Sequence, residues 1–408
     1  MASSNRPVRG RGANAAISAA GALIGAFALT LAPFVSLRPN RIVEGETLSA
    51  VAAFGGWGWM AVALWLAAGL LFLVSQPGWP RWAGDLLGVG RGLLATAVLL
   101  LLLVLTGGQA AEFAAGQGPT ARTSFSWGFY LFLFAFYLVL HATAAGMSAW
   151  WGRVVVWTAA FAGVVVLGVT GVLDELGIVR EWTLVRNTFS RELARHLFYA
   201  LGATIGAVIV GIPLGILAAR RRKAETVIMG ALNLGQVLPV LAFVGIMIPV
   251  LGGLSDRFTP LKSLGISGIG WAPVMVVLFI YALFPVTRNA MVAIRQLDPA
   301  VIDTARGMGM SRRRALREVE LPLALPVVLA GVRIALVQST AGAIIAAFVG
   351  GGGLGTIMFM GLEQTSMDLV LVGVIPIAAL ALVFDTMLRA VERATAGGRD
   401  LDLTAMAA

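Results

Sequence analysis

An all-α, polytopic integral membrane protein of about ten transmembrane helices is what this sequence predicts, and three observations carry the prediction. Of 408 residues, 59% are hydrophobic and only 12% charged, too apolar a balance for a water-soluble domain. The apolar residues gather in repeated runs of about twenty, long enough to cross a hydrocarbon core. Nearly all the charge falls between those runs. Helix is the state open to such segments, because a lipid-exposed backbone must satisfy its own hydrogen bonds.

In chain order the spans are expected near 14–37, 55–75, 86–106, 125–146, 153–173, 196–219, 224–251, 271–291, 323–347 and 368–390. Arg6, Arg9 and Arg11 precede the first, whose apolar run from Ala13 to Leu37 is too long for a signal-peptide core, so it is read as a retained helix. Residues 1–173 form an N-terminal five-span region, rich in Trp and Gly. Residues 174–195, DELGIVREWTLVRNTFSRELAR, are polar and amphipathic and read as an external surface helix or linker. The other five spans occupy 196–391, and 392–408 form a tail. No internal repeat relates the two halves, which counts against an inverted-repeat transporter.

Lys and Arg set the orientation. With the N-terminus in the cytoplasm, the cytoplasmic side receives Arg81, Arg153, Arg220 to Lys223 and the arginines between 306 and 317. It then holds more than twice as many basic residues as the other side. Both termini are therefore expected in the cytoplasm of a bacterial cell, with the chain in its inner membrane. The net charge of +10 is explained by this topology and by membrane lipid, so no nucleic-acid partner is expected.

No Cys is present, and His141 and His196 lie far apart without metal-ligand spacing, so no metal site is expected. There is no GxxxxGK[ST], HExxH or GxSxG, and neither an active site nor a bound cofactor follows. His141, Arg333 and Asp385 lie towards cytoplasmic span ends, and no carboxylate sits mid-span. An ion-coupled secondary transporter lacks its usual parts, and the energy source must be elsewhere.

The polar island from Asp298 to Pro326 interrupts this apolar chain. Asp298 can cap a helix start and Pro299 suits its first position. Gly307 and Gly309 let the chain stop and turn, and Ser311 can cap a second short helix, expected to end where Pro322 removes an N–H. Arg312, Arg313 and Arg314 fall in that helix's first turn, against the helix dipole. Helix, glycine turn, helix reads as an exposed docking knuckle.

Uncharged polar groups occur inside two spans: Asn233 and Gln236 in the seventh, Gln338, Ser339 and Thr340 in the ninth. Asn233, Gln236 and Gln338 are candidates for a translocation path, with helix–helix hydrogen bonding as the competing role. Trp271, Phe279, Tyr281 and Phe284 share one span and read as packing. The run GGGGLG, contributing Gly350, Gly351, Gly352, Gly353 and Gly355, has no preceding strand and no following Lys-Ser. It reads as a flexible external turn and a candidate gate.

The island also resembles the cytoplasmic E-A-A-x3-G-x9-I-x-L-P loop of permease subunits of ATP-binding-cassette importers. Asp303, Thr304 and Ala305 fall on E-A-A, Gly309 on the Gly, and Val319, Leu321 and Pro322 on I, L and P, with every gap of family length. Asp303, Thr304 and Val319 depart from the pattern. Stretches such as ALNLGQVLPVLAFVGIMIPVLGG and FVGGGGLG are similar to the osmoprotectant branch, over about residues 190–391, and the long N-terminal region resembles Yeh-type permeases. The resemblance implies a type I, MetI-like permease core in the C-terminal half, with 298–322 as the coupling loop. It implies import of glycine betaine, choline or related quaternary amines. It also implies partners: cytoplasmic ATPase subunits that bind ATP-Mg, a periplasmic or lipid-anchored binding protein, and a second permease, identical or different. An importer for methionine or an alkanesulfonate would share the loop, and a non-transporting scaffold would not need it.

Overall fold

The computed structural model describes residues 9–395 apart from 42, 75–79 and 119. Among the described residues, nine helices are long and apolar enough to cross a membrane, and the helix Gly56–Val74 lies at another expected span. Two units are resolved, dividing between Leu184 and Val185.

In the first unit α1 (Arg9–Thr30) ends well before the expected 37. Pro33 is the reason, since it lacks an N–H and disfavours helical backbone at the residue before it. The chain goes on as strand β1 (Val35–Arg38), antiparallel to β2 (Glu46–Leu48) and later to β3 (Arg122–Phe125). Val35 stands opposite both Leu48 and Phe125. Unpaired sheet edges are not tolerated in lipid, so this small sheet belongs at a water-facing end of the unit.

A one-turn α2 (Ala50–Phe54) leads into α3 (Gly56–Val74). Then come α4 (Arg81–Gln117), α5 (Trp127–Gly146) and α6 (Trp150–Val169). α1 lies along α5 and α3, and α4 packs on α3, α5 and α6. The fully buried Trp65 organises this core, its Nε1 donating to the Ala22 carbonyl at 3.1 Å. Its indole lies against Gly25, where any Cβ would overlap the ring. Buried Arg91 donates to the Ala68 carbonyl and to Ser18 Oγ, both at 3.2 Å, which satisfies a charge inside the bundle.

α7 (Gly177–Arg220) takes in most of the stretch 174–195 read as an external surface helix or linker: from Gly177 onward it is helical and continuous with the sixth span in one 44-residue helix. Its amphipathic first half ends in no Gly or Pro that could stop a helix. The seventh expected span is the reverse case. Pro239 splits 224–251 into α8 (Arg222–Val237) and α9 (Val240–Arg257), with Leu238 in extended conformation between them. Pro239 removes the N–H that would continue α8. The Tyr281 hydroxyl donates to the Leu238 carbonyl at this break.

After a short α10 (Thr259–Ser263), the second unit is built round α11 (Trp271–Arg295), the most buried of the candidate spans. The island follows as α12 (Pro299–Gly307) and α13 (Arg312–Ala315). α14 (Leu321–Gly342), α15 (Leu354–Glu363) and α16 (Met367–Thr395) complete the unit. α14 packs on α11 and α16, and α15 on α16. Glycines set the close approaches. A Cβ on Gly331 would lie 2.6 Å from Asn289 Cβ, and one on Gly215 would lie 2.6 Å from Ala290 Cβ. Small residues at such crossings let helices gain dispersion contact where lipid offers no hydrophobic drive.

Candidate functional site

Three features of the second unit stand out, and the knuckle is the first. Asp298 caps α12 by accepting from the Ala300 N–H at 2.9 Å. At the other end Gly309 N–H donates to Arg306 O at 2.9 Å and Met310 N–H to Ala305 O at 3.2 Å. With Gly309 at φ +83°, this pair of bonds is a Schellman C-cap, and the left-handed residue it requires is the glycine. Ser311 Oγ accepts from the Arg314 N–H at 3.4 Å and starts α13. Asp303, Thr304 and Gly309 are exposed at the tip, while Ala305 is buried beneath them.

Pro322 does not end the second helix as expected. Leu316–Glu320 form a turn of π-helix, and the Leu321 N–H reaches back to Leu316 O, so α13 runs on into α14. The wider i→i+5 spacing accommodates the missing Pro322 N–H without a break. Val319, Leu321 and Pro322 therefore lie on this continuous path between knuckle and span. Leu316 and Leu297 pack against a core of Ala290, Ala293, Ile294, Ala324 and Val328.

Two ion pairs clamp the base. Arg220, the last residue of α7, donates to Glu320 at 2.8 Å, and Arg295, the last of α11, donates to both Glu225 oxygens at 2.6 and 2.7 Å. Neither pairing is evident in the sequence. The available signal was a lone Glu-x-Glu, Glu318 and Glu320, inside an otherwise Arg-rich island.

The second feature is a cavity of about 510 Å³ bounded by α8, α11 and α14. Gln236 and Gln338, two of the three path candidates, line it together; the third, Asn233, is exposed and is not part of the lining. Asn233 precedes Gln236 by three residues, most of a helical turn, and the break at Pro239 frees α8 from the course a single span would have imposed. Gln236 Nε2 donates to Tyr281 O at 2.9 Å, so it also performs the helix–helix role. Phe284, Arg288, Asn289 and Gln296 line the same cavity and were not singled out from sequence as path residues. The aromatic residues of α11 are spread between two packing clusters, Trp271 and Tyr281 in one, Phe279 and Phe284 in another.

The third feature is the glycine run, read from sequence as a flexible external turn and a candidate gate. A 3₁₀ helix, Ala343–Val349, leads into Gly350, and Gly351, Gly352, Gly353 and Gly355 are all buried. Tyr199 Oη donates to Gly351 O at 2.7 Å, and Gly353 N–H donates to buried Glu192 at 2.7 Å. His196 Nε2 donates to Thr340 O at 2.9 Å just before the turn. Gly350, Gly352 and Gly353 have φ of +72°, +78° and +92°, and a Cβ on Gly355 would overlap the Ile344 carbonyl. The glycines serve close packing and left-handed backbone here. Glu192, His196 and Tyr199 hold the turn in place, and they come from the segment that sequence reading assigned partly to a linker.

With this geometry in hand, comparison with known proteins is informative. Residues 211–397 match the family described as binding-protein-dependent transport system inner membrane component. Residues 14–179 match the N-terminal domain of the ABC transporter permease YehY. The chain is 33% identical over 202 residues to the glycine betaine/carnitine/choline transport system permease protein OpuCB of Bacillus subtilis, spanning 50% of this chain and 86% of that protein. It is 35% identical over 198 residues to the choline transport system permease protein OpuBB of the same species, spanning 48% and 84%. The osmoprotectant import permease protein OsmW of Salmonella typhimurium gives 35% over 198 residues, 48% of this chain and 87% of that one.

Proposed function

The chain belongs to the inner-membrane permeases of binding-protein-dependent ABC importers, and from that premise we propose that it carries osmoprotectants such as glycine betaine, choline or carnitine into the cell. The observation that supports this most directly is the knuckle. An exposed, doubly capped turn at Gly309 occupies the coupling-loop spacing inside the family match, on a continuous helical path into α14.

In this reading the knuckle at Asp303, Thr304, Ala305 and Gly309 seats in a groove of a cytoplasmic ATPase that binds ATP-Mg. Val319, Leu321 and Pro322 transmit its movement to α14. A lever is needed for that, and it is a backbone continuous through the π-turn, tied at its base by the Arg220 and Arg295 pairs. Gln236 and Gln338 line the path on the inner side, and the turn from Gly350 to Gly355 closes it on the outer side. A second permease completes the path, a binding protein delivers solute from outside, and both termini lie in the cytoplasm. The first unit is an accessory bundle beyond the transport core.

The test is uptake by proteoliposomes containing the chain with its ATPase and binding protein, driven by internal ATP. Accumulation of labelled glycine betaine, choline or carnitine is expected. Accumulation of methionine or an alkanesulfonate instead would reassign the solute while keeping the lever, and uptake without ATP would overturn the mechanism.

A further inference from the structure

We infer that Glu192, His196 and Tyr199 form a releasable latch on the outer glycine turn, in which the Glu192 carboxylate holds Gly353 while the path is shut and passes wholly to Arg191 and Arg195 when it opens. This rests on the reading of that turn as the outer closure of an importer. The three side chains stand at i, i+4 and i+7, on one face of α7, and all are buried. Each bonds the backbone of the same stretch. Glu192 accepts from the Gly353 N–H at 2.7 Å, and His196 and Tyr199 donate to Thr340 O and Gly351 O. Apolar side chains would pack a helix there at less cost, because a buried polar group must find a partner to offset its desolvation. The polar choice supplies bonds that form in one conformation of the turn and are lost in another.

The two oxygens of Glu192 meet different partners. Oε2 holds Gly353, the cap residue of α15, while Oε1 accepts from Arg191 at 3.0 Å and from Arg195 at 3.4 Å. The Glu192 side chain is 5% exposed, but those of Arg191 and Arg195 are 62% and 50% exposed. Leaving a buried carboxylate without a partner is strongly unfavourable. Here release of the turn leaves Glu192 still paired, with two arginines that reach water. The held stretch is also suited to rearrange. Gly350, Gly352 and Gly353 all have positive φ, and glycine passes between positive and negative φ without the steric cost a side chain brings. α15, ten residues long, is too short to cross a bilayer. A Cβ on Gly352 would lie 2.7 Å from Arg195 and 2.9 Å from Glu192 Oε2, so glycine lets the acid and the arginine close over the turn.

The test uses the assembled importer in proteoliposomes and reads ATP hydrolysis with and without the binding protein. E192A is expected to raise hydrolysis without the binding protein at least fivefold, because the turn is then no longer held shut. E192Q keeps an acceptor for Gly353, and a rise of at least twofold is expected. R191Q/R195Q is expected to act in the opposite direction. With its outward partners gone the carboxylate stays on Gly353, so hydrolysis without the binding protein stays at or below wild type and hydrolysis with it falls at least threefold. A contact that only stabilises the fold would lower assembly and hydrolysis in every variant. Wild-type hydrolysis in E192A and E192Q, a rise in R191Q/R195Q like that of E192A, or failure of both Glu192 variants to assemble would each overturn the latch. If E192A alone fails to assemble, E192Q decides by the same criterion. A wild-type complex that imports no quaternary amine would overturn the proposed solute class alone, since hydrolysis reads the latch without any solute.

Discussion

The guanidinium of Arg220 donates to the Glu320 carboxylate at 2.8 Å, joining the end of α7 to the π-turn that leads out of the knuckle. Glu320 is 8% exposed and Arg220 41%. One partner is buried and the other reaches water, so the pair acts as a strut with modest energetic weight. R220A leaves a buried carboxylate unpaired and is expected to cost about 1–2 kcal/mol, below the value for a fully buried pair. More telling is function: ATP hydrolysis should persist while solute moved per ATP falls severalfold. An R220A importer with wild-type coupling would show that the strut carries no force.

Gly309 separates conformation from packing. Nothing lies within 4 Å of where its Cβ would be, and its φ is +83°. G309V therefore meets no clash, yet it forces a β-branched residue into left-handed backbone, at a cost of at least about 1–2 kcal/mol. The expected outcome is a chain that inserts and assembles but whose knuckle is re-aimed, with uptake down at least tenfold. Thermal unfolding of the purified chain and uptake, measured side by side, check it.

The glycine run from 350 to 355 offers a graded comparison. Gly350 has φ +72° and only Ile269 Cγ2 near its Cβ position, at 3.7 Å, whereas a Cβ on Gly355 would overlap backbone at Ile344. G350A is expected to cost about 1 kcal/mol from conformation alone. G355A must displace backbone, and overpacking of that kind costs about 1–3 kcal/mol. A melting temperature lower for G355A than for G350A is the predicted order. Y199F, which removes the donor to Gly351 O, should cost about 1 kcal/mol.

In the first unit the contact of Trp65 with Gly25 gives a similar test. G25A drives a methyl group into a fully buried indole and its hydrogen bond to Ala22 O, and a loss of about 1–3 kcal/mol is expected. Intrinsic Trp fluorescence and thermal stability in detergent should both shift. If G25A matches wild type, the α1–α3 packing described above is wrong.

Much of this architecture was legible because lipid restricts the options to hydropathy and charge, and spans such as α5, α11 and α16 fall where those signals put them. The caps at Asp298, Gly309 and Ser311 were legible too, since each needs a particular residue at a particular position. Proline was the least readable element. Pro33 ends α1, Pro239 breaks a span, Pro322 is absorbed by a π-turn, and Pro213 sits inside α7, because the outcome depends on who takes up the freed carbonyl. The glycine run is ambiguous for a related reason: φ and close approach leave the same residue in the sequence as flexibility does.

The central claim is that the knuckle around Gly309 meets an ATP-hydrolysing partner in the cytoplasm. The chain has no cysteine, so T304C places a single thiol at the exposed tip without further engineering. Labelling of T304C with a membrane-impermeant maleimide should be compared in inside-out and right-side-out vesicles, with and without the ATPase. Labelling from the cytoplasmic face alone, strongly suppressed when the ATPase is bound, is the predicted result. Labelling from the outer face, or equal labelling with and without the ATPase, would contradict it.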